Sequence, residues 1–175
     1  IRDLSQRYNA LQATMASGER LFELMDTSIE VADRPDAQPM PPITGSVVFD
    51  DVSFRYTSAG KPVLEHVNLQ VVPGQTIALV GETGAGKSTF VKLISRFYDA
   101  TEGVVRIDGV DVREVTQESL RQQMGVVLQE PFLFSGSVYS NIAYAKPDAT
   151  HDQVRRAAEA VGAHGFIEKL DKGYD

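Results

Sequence analysis

Two hydrophobic rhythms organise the chain. From Ile1 to about Val31 apolar residues recur in alternating steps of three and four. They are Ile1, Leu4, Tyr8, Leu11, Met15, Phe22, Met25 and Ile29, with Gly18 at the one vacant position. That spacing predicts one long helix carrying the seam of a coiled coil, or of a helix packed against another. An amphipathic helix lying on its own domain fits the same pattern. The next stretch, 33–42, holds Pro35, Pro39, Pro41 and Pro42. Proline removes a backbone donor and fixes φ, so this segment is expected to be an extended linker separating the helix from the rest of the chain.

From Val47 the period changes to two. Val48, Val52, Phe54 and Tyr56 alternate with Phe49, Asp51, Ser53 and Arg55, which predicts an extended segment with two distinct faces. A turn near 58–61 leads to a second alternation at Val67, Leu69 and Val71, closed by Pro73-Gly74. The pair reads as an antiparallel hairpin layer. The apolar runs 76–80 and 125–129 read as strands buried on both faces. A helix is expected over about 87–98, with Phe90, Leu93, Ile94 and Phe97 inward, and a strand between Gly103 and Gly109. Thr150 and Gln153 make a capping box for a helix through about Val161, and a short helix is expected over 164–170. Strand–loop–helix order in the middle of the chain predicts an α/β fold with a parallel element.

Composition narrows the functions available. The 175 residues carry a formal net charge of -7, which disfavours nucleic-acid partners and polybasic membrane binding. With no cysteine, disulfides, thiol nucleophiles and Cys-ligated metals are excluded. No apolar run approaches the ~18 residues of a membrane span, so the chain by itself is expected to be soluble. His66, His151 and His164 have no acid or metal-ligand spacing around them in sequence, and Ser135 and Ser137 have no nearby base.

The chemistry concentrates in Gly81-Glu82-Thr83-Gly84-Ala85-Gly86-Lys87-Ser88-Thr89, which meets the phosphate-binding loop pattern at every fixed position. Glycines let the backbone take positive φ and aim several N–H groups at one polyphosphate. Lys87 brings an ammonium to the β- and γ-phosphates, and Ser88 offers a hydroxyl to Mg2+. The helix that begins here points its positive end at the same anion. ATPases, GTPases and small-molecule kinases all share this loop.

The stretch 47–175 resembles the first part of an ABC transporter nucleotide-binding domain, a P-loop NTPase (ABC ATPase) core with an antiparallel β layer. Val52-Ser53-Phe54-Arg55-Tyr56 resembles the A-loop, which implies that Tyr56 stacks on adenine. Gly125 to Pro131 resembles the Q-loop, which implies that Gln129 reaches Mg2+ and the attacking water. The loop would also touch the coupling helix of a transmembrane domain. The strings 131–138 and 140–144 are similar to exporters in particular. The resemblance therefore divides the chain into 1–31, the cytoplasmic end of a transmembrane helix; 32–46, the linker; and 47–175, a partial nucleotide-binding domain.

The family's signature loop, Walker B strand, following glutamate and switch histidine would lie after Asp175. Val104 to Asp108 only faintly resembles a Walker B run, because Arg106 interrupts it and no acid follows Asp108. The implied function is the ATP-binding part of an exporter at the cytoplasmic face of a membrane. ATP and Mg2+ would be the cofactors, and a second nucleotide-binding domain and the coupling helices the partners. Lys87 and Gln129 would serve catalysis in the intact ATPase, while this stretch alone would bind ATP with little or no turnover. A soluble ABC-type ATPase and a nucleotide-sensing, non-catalytic dimerisation module are the competing readings.

Overall fold

A computed structural model describes residues 2–175, and the side chains of residues 11–12 and 14–175. The chain forms two compact units, Ile1–Gly125 and Val126–Asp175. In the first, helix α1 (Arg2–Met25) precedes strands β1 (Val47–Phe54) and β2 (Leu64–Val71), helix α2 (Lys87–Ile94), strands β3 (Glu102–Ile107) and β4 (Val110–Asp111), and helix α3 (Gln117–Arg121). The strands make one antiparallel sheet in the order β2-β1-β3-β4.

Helix α1 ends at Met25, six residues short of the expected limit, and the Thr27 hydroxyl donates to the Glu23 carbonyl just beyond it. Ile29 therefore lies off the helix. Leu11, Met15, Phe22 and Met25 are exposed on it, whereas the side chains of Ile1, Leu4 and Tyr8 lie outside the described residues.

The expected alternation in β1 breaks in its middle. Phe49, Val52, Ser53 and Phe54 are all buried, while Val48 is only half-buried. The cause is a β-bulge. Asp51 takes φ 50°, and the register against both β2 and β3 shifts around it. One extra residue turns the following side chains over, so both Phe49 and Val52 reach the core. Gly103 of β3 sits against this bulge, where a Cβ would lie 2.3 Å from the Asp51 carbonyl oxygen.

The expected strands at 76–80 and 125–129 do not form, and Val80, Val127 and Leu128 are exposed. A strand exists only as one side of a hydrogen-bonded ladder, and among the described residues neither run has a partner. The one parallel contact among the described residues is the isolated bridge between Gln38 and Val115. That bridge belongs to the proline-rich segment, which departs from the expected extended form in a turn at Pro35–Asp36, and which is strapped along the unit rather than held away from it. Gln38 N donates to the Glu114 carbonyl at 3.0 Å, Met40 N to Ser119 Oγ at 2.8 Å, and Ile43 N to Gln123 Oε1 at 2.9 Å. Met40 is a member of the core that also holds Phe49, Leu93, Ile107 and Leu120.

Helix α2 stops at Ile94 rather than near Tyr98, because Arg96 turns into the left-handed region at φ 51°. Phe97 is consequently exposed, with the Arg121 guanidinium 4.6 Å from its ring centroid. In the second unit, helices α4 (Val138–Ile142), α5 (His151–Ala160) and α6 (His164–Ile167) surround a small core of Ala143, Ala149 and Val154. The capping box between Thr150 and Gln153 is present in both directions. The histidines do find partners that sequence spacing concealed. His66 Nδ1 lies 2.9 Å from Asp51 Oδ1, and His164 Nδ1 lies 2.9 Å from the Tyr174 hydroxyl.

Asp108 has a structural task. Its carboxylate accepts from Thr44 N and Oγ1 and from Ser46 N at 2.6, 2.7 and 2.8 Å. The Thr44 hydroxyl and these amides favour the ionised form and lower its pKa to about 2. The unfolded chain therefore binds more protons, and stability rises with pH across this window. The contribution is complete above the ordinary carboxylate value of about 3.9 and fades as pH falls toward about 2. Asp108→Asn should lower the melting temperature at neutral pH, and thermal melts of variant and parent should converge in strong acid.

Candidate functional site

Residues 81–86 connect the exposed run 76–80 to the first turn of α2. Gly84 and Gly86 take φ 89° and 85°, a conformation that costs other residues roughly 1–2 kcal/mol. Gly86 is also buried, and a Cβ there would lie 2.9 Å from Leu64 Cδ2 and 3.1 Å from the Val63 carbonyl oxygen. The loop is thus held against the start of β2 by a contact that only glycine permits. Gly81, Glu82, Thr83, Gly84 and Ala85 are exposed, and the Ala85 amide closes a turn onto the Glu82 carbonyl at 3.2 Å.

Gly86 caps α2 without a side-chain hydrogen bond, and no acidic residue occupies the first turn. The first amides of the helix and its dipole therefore face the loop uncompensated, which suits an anion. Lys87 folds across the loop, its Nζ donating to the Gly81 and Glu82 carbonyls at 2.7 Å each. Ser88 is exposed on the same turn, and Thr89 is buried. Positive-φ glycines, an uncapped helix start and one ammonium together match a polyphosphate. A single hydroxyl fits Mg2+, which commonly takes one or two protein ligands and fills its shell with phosphate oxygens and water.

Tyr56, just beyond β1, joins this group from 33 residues away, its hydroxyl 3.1 Å from Thr89 Oγ1. Its ring meets Phe54 and Tyr98 edge-on, with centroids 4.8 and 5.1 Å apart. Lys92 Nζ stands 5.1 Å from the Tyr56 centroid. Sequence reasoning passed over Phe54, Lys92 and Tyr98 as parts of this platform. One signal was available: Thr89 and Lys92 are three apart on a helix and so share a face. Gln129 belongs to the second unit, where it is exposed in a bend.

The sequence profile of the ABC transporter family matches residues 64–173, well over half of the chain. The chain belongs to the ABC transporter family. Among curated members, it is 44% identical over all its residues to the uncharacterized ABC transporter ATP-binding protein YfiC of Bacillus subtilis, spanning 29% of that protein. It is 44% identical over 99% of its length to a multidrug efflux ATP-binding/permease protein of Mycobacterium bovis, covering 14% of it. To the ATP-dependent lipid A-core flippase of Desulfotalea psychrophila it is 42% identical throughout, covering 30%. Its fold superposes on a bacterial Atm1-family ABC exporter with ATP bound, at TM-score 0.82 and 40% identity, over 96% of this chain and 30% of that one. This ABC transporter chain thus carries the ABC ATPase fold over less than a third of its relatives' length. No helix among its described residues is long and apolar enough to cross a membrane.

The two positive-φ glycines should respond differently to a methyl group. At Gly84 nothing lies within 4 Å of a built Cβ, so only backbone strain opposes it; at Gly86 steric overlap is added. Gly86→Ala should therefore lower the melting temperature more than Gly84→Ala, by an extra ~1 kcal/mol in denaturant titrations.

Proposed function

We propose that this chain is the ATP-binding part of an ABC exporter, and that the intact protein couples ATP hydrolysis to movement of a substrate across a membrane. The observation that carries the reading is the hydrogen bond joining Tyr56 to Thr89. It sets an aromatic platform beside a loop built for polyphosphate, which is what a nucleoside triphosphate presents at its two ends. Similarity over 99% of the chain to a multidrug efflux ATP-binding/permease protein, and throughout to a lipid A-core flippase, supports the exporter reading over a soluble ATPase.

Each residue then has a task. Tyr56 stacks on adenine, while Gly81, Glu82, Thr83, Gly84, Ala85, Gly86 and Thr89 line the phosphates with backbone or hydroxyl donors. Lys87 neutralises charge on the β- and γ-phosphates as transfer proceeds, and Ser88 supplies a ligand to Mg2+. Gln129 serves the metal and the attacking water, as the family resemblance implies. Binding of Mg-ATP requires Lys87 Nζ to exchange its two carbonyl partners for phosphate oxygens, stronger acceptors because they are charged. Residues 1–31 extend a transmembrane helix, 32–46 link it to the domain, and 47–175 form part of the nucleotide-binding domain. A second such domain and the coupling helices of the transmembrane part are the partners, at the cytoplasmic face of the membrane.

Equilibrium titration with a fluorescent ATP analogue in Mg2+ tests the reading. Lys87→Ala should weaken binding roughly tenfold or more through loss of a charge-assisted contact. Tyr56→Ala should weaken it by about five- to a hundredfold through loss of base stacking. Absence of saturable binding in a chain that circular dichroism shows to be folded would remove the site.

A further inference from the structure

Phosphate-loop occupancy needs a route to the rest of the protein, and one begins at the far end of α2. That helix starts in the loop at Lys87 and runs eight residues to Ile94, so a shift at its first turn is carried to its last as a rigid body. Two residues on, Arg96 is only 1% exposed. Its Nη1 donates to Asp33 Oδ1 at 3.1 Å and to the Val115 carbonyl at 2.7 Å; its Nη2 donates to the Ala32 carbonyl at 3.0 Å. Its Nε donates to Asp99 Oδ1 at 3.2 Å.

The same short segment is held from a second side. Gln117, at the start of α3, donates its amide to both Asp33 oxygens at 3.1 and 3.2 Å and its Nε2 to the Val31 carbonyl at 3.1 Å. Arg121 completes the assembly, with Nε donating to the Ser95 carbonyl at 2.9 Å and Nη2 to the Arg96 carbonyl at 2.6 Å. Residues 31–33, which come a few positions after α1, are therefore gripped by the end of α2 and the start of α3 together. We propose that Arg96 and Asp33 form the joint through which nucleotide binding at the phosphate loop is transmitted to the segment following α1.

The physical reason lies in the burial of the charge. Parting from Asp33 and the Ala32 carbonyl would leave donors of a buried guanidinium unmet, so a displaced α2 draws residues 31–33 with it. An apolar contact at the same place could slide. Arg96 is thus a positioning residue, remote from the phosphates and acting through α2. The inference rests on the nucleotide reading of the phosphate loop and adds the path that leads away from it.

Hydrogen exchange of the full chain, with and without Mg-ATP, tests the joint. With Mg-ATP, peptides covering 28–34 and 116–122 should exchange roughly threefold or more slowly, alongside those covering 81–89. Asp33→Asn leaves Arg96 its contacts with Asp99, Val115 and Ala32, so the fold should persist. This variant should bind Mg-ATP with unchanged affinity and keep the response at 81–89, while its response at 28–34 shrinks to what the Ala32 and Val31 contacts still carry. A staple that serves stability alone would not produce that split. Protection at 81–89 with none at 28–34 in the parent chain would overturn the joint and leave the nucleotide site standing, as would a response at 28–34 that is undiminished in Asp33→Asn. No protection at 81–89 would overturn the nucleotide reading and the joint with it.

Discussion

A guanidinium taken out of water must find partners for nearly all of its donors, and Arg96 finds them in four residues from three parts of the chain. Asp99 is local, Val115 lies just before α3, and Ala32 and Asp33 come from the segment after α1. Arg96 is buried while Asp33 and Asp99 are 35% and 34% exposed, so the guanidinium ties separate segments together and keeps one counter-charge if the other is lost. The positions of α2, α3 and the proline-rich strap are therefore set jointly. The left-handed turn at Arg96 ends α2 early and leaves Phe97 in solvent. The departure from the expected longer helix thus has a local cause.

The strap beyond this anchor shows what proline does and does not prescribe. Four prolines keep helix out of 33–42, but a chain whose other amides are free can also add itself to a folded surface. Gln38, Met40 and Ile43 do so, interspersed with the prolines, and Met40 enters the core. A segment that reads as a spacer is instead a belt around the unit that holds the phosphate loop.

The loop itself depends on a few glycines for two different reasons. Gly84 supplies backbone freedom, whereas Gly86 supplies both freedom and room against Val63 and Leu64. That contact fixes the loop to β2, and the hairpin carries Tyr56 back to the first turn of α2 beyond the end of β1. The aromatic cluster at Tyr56 and the glycine-rich loop are consequently two parts of one packed arrangement, joined by the Tyr56–Thr89 hydrogen bond.

Much of this was legible in the residues alone. The glycine-rich loop is a contiguous string whose conformation depends on local backbone freedom, so the positive φ of Gly84 and Gly86 could be expected from the residues. The hairpin at 47–71, the 103–109 strand and the Thr150 capping box are likewise short-range patterns. Other features required the fold. The bulge at Asp51 that reverses the faces of β1, the Asp33–Arg96 pair and the aromatic neighbours of Tyr56 join residues far apart in sequence. Local propensity contains no term for such contacts. The runs 76–80 and 125–129 show the same division: their apolar character is a property of sequence, but becoming a strand requires a partner. Residue order determined which chemistry the chain could carry, and tertiary contact decided which groups meet, because hydrogen bonds and ion pairs across the fold form only once distant segments are packed together.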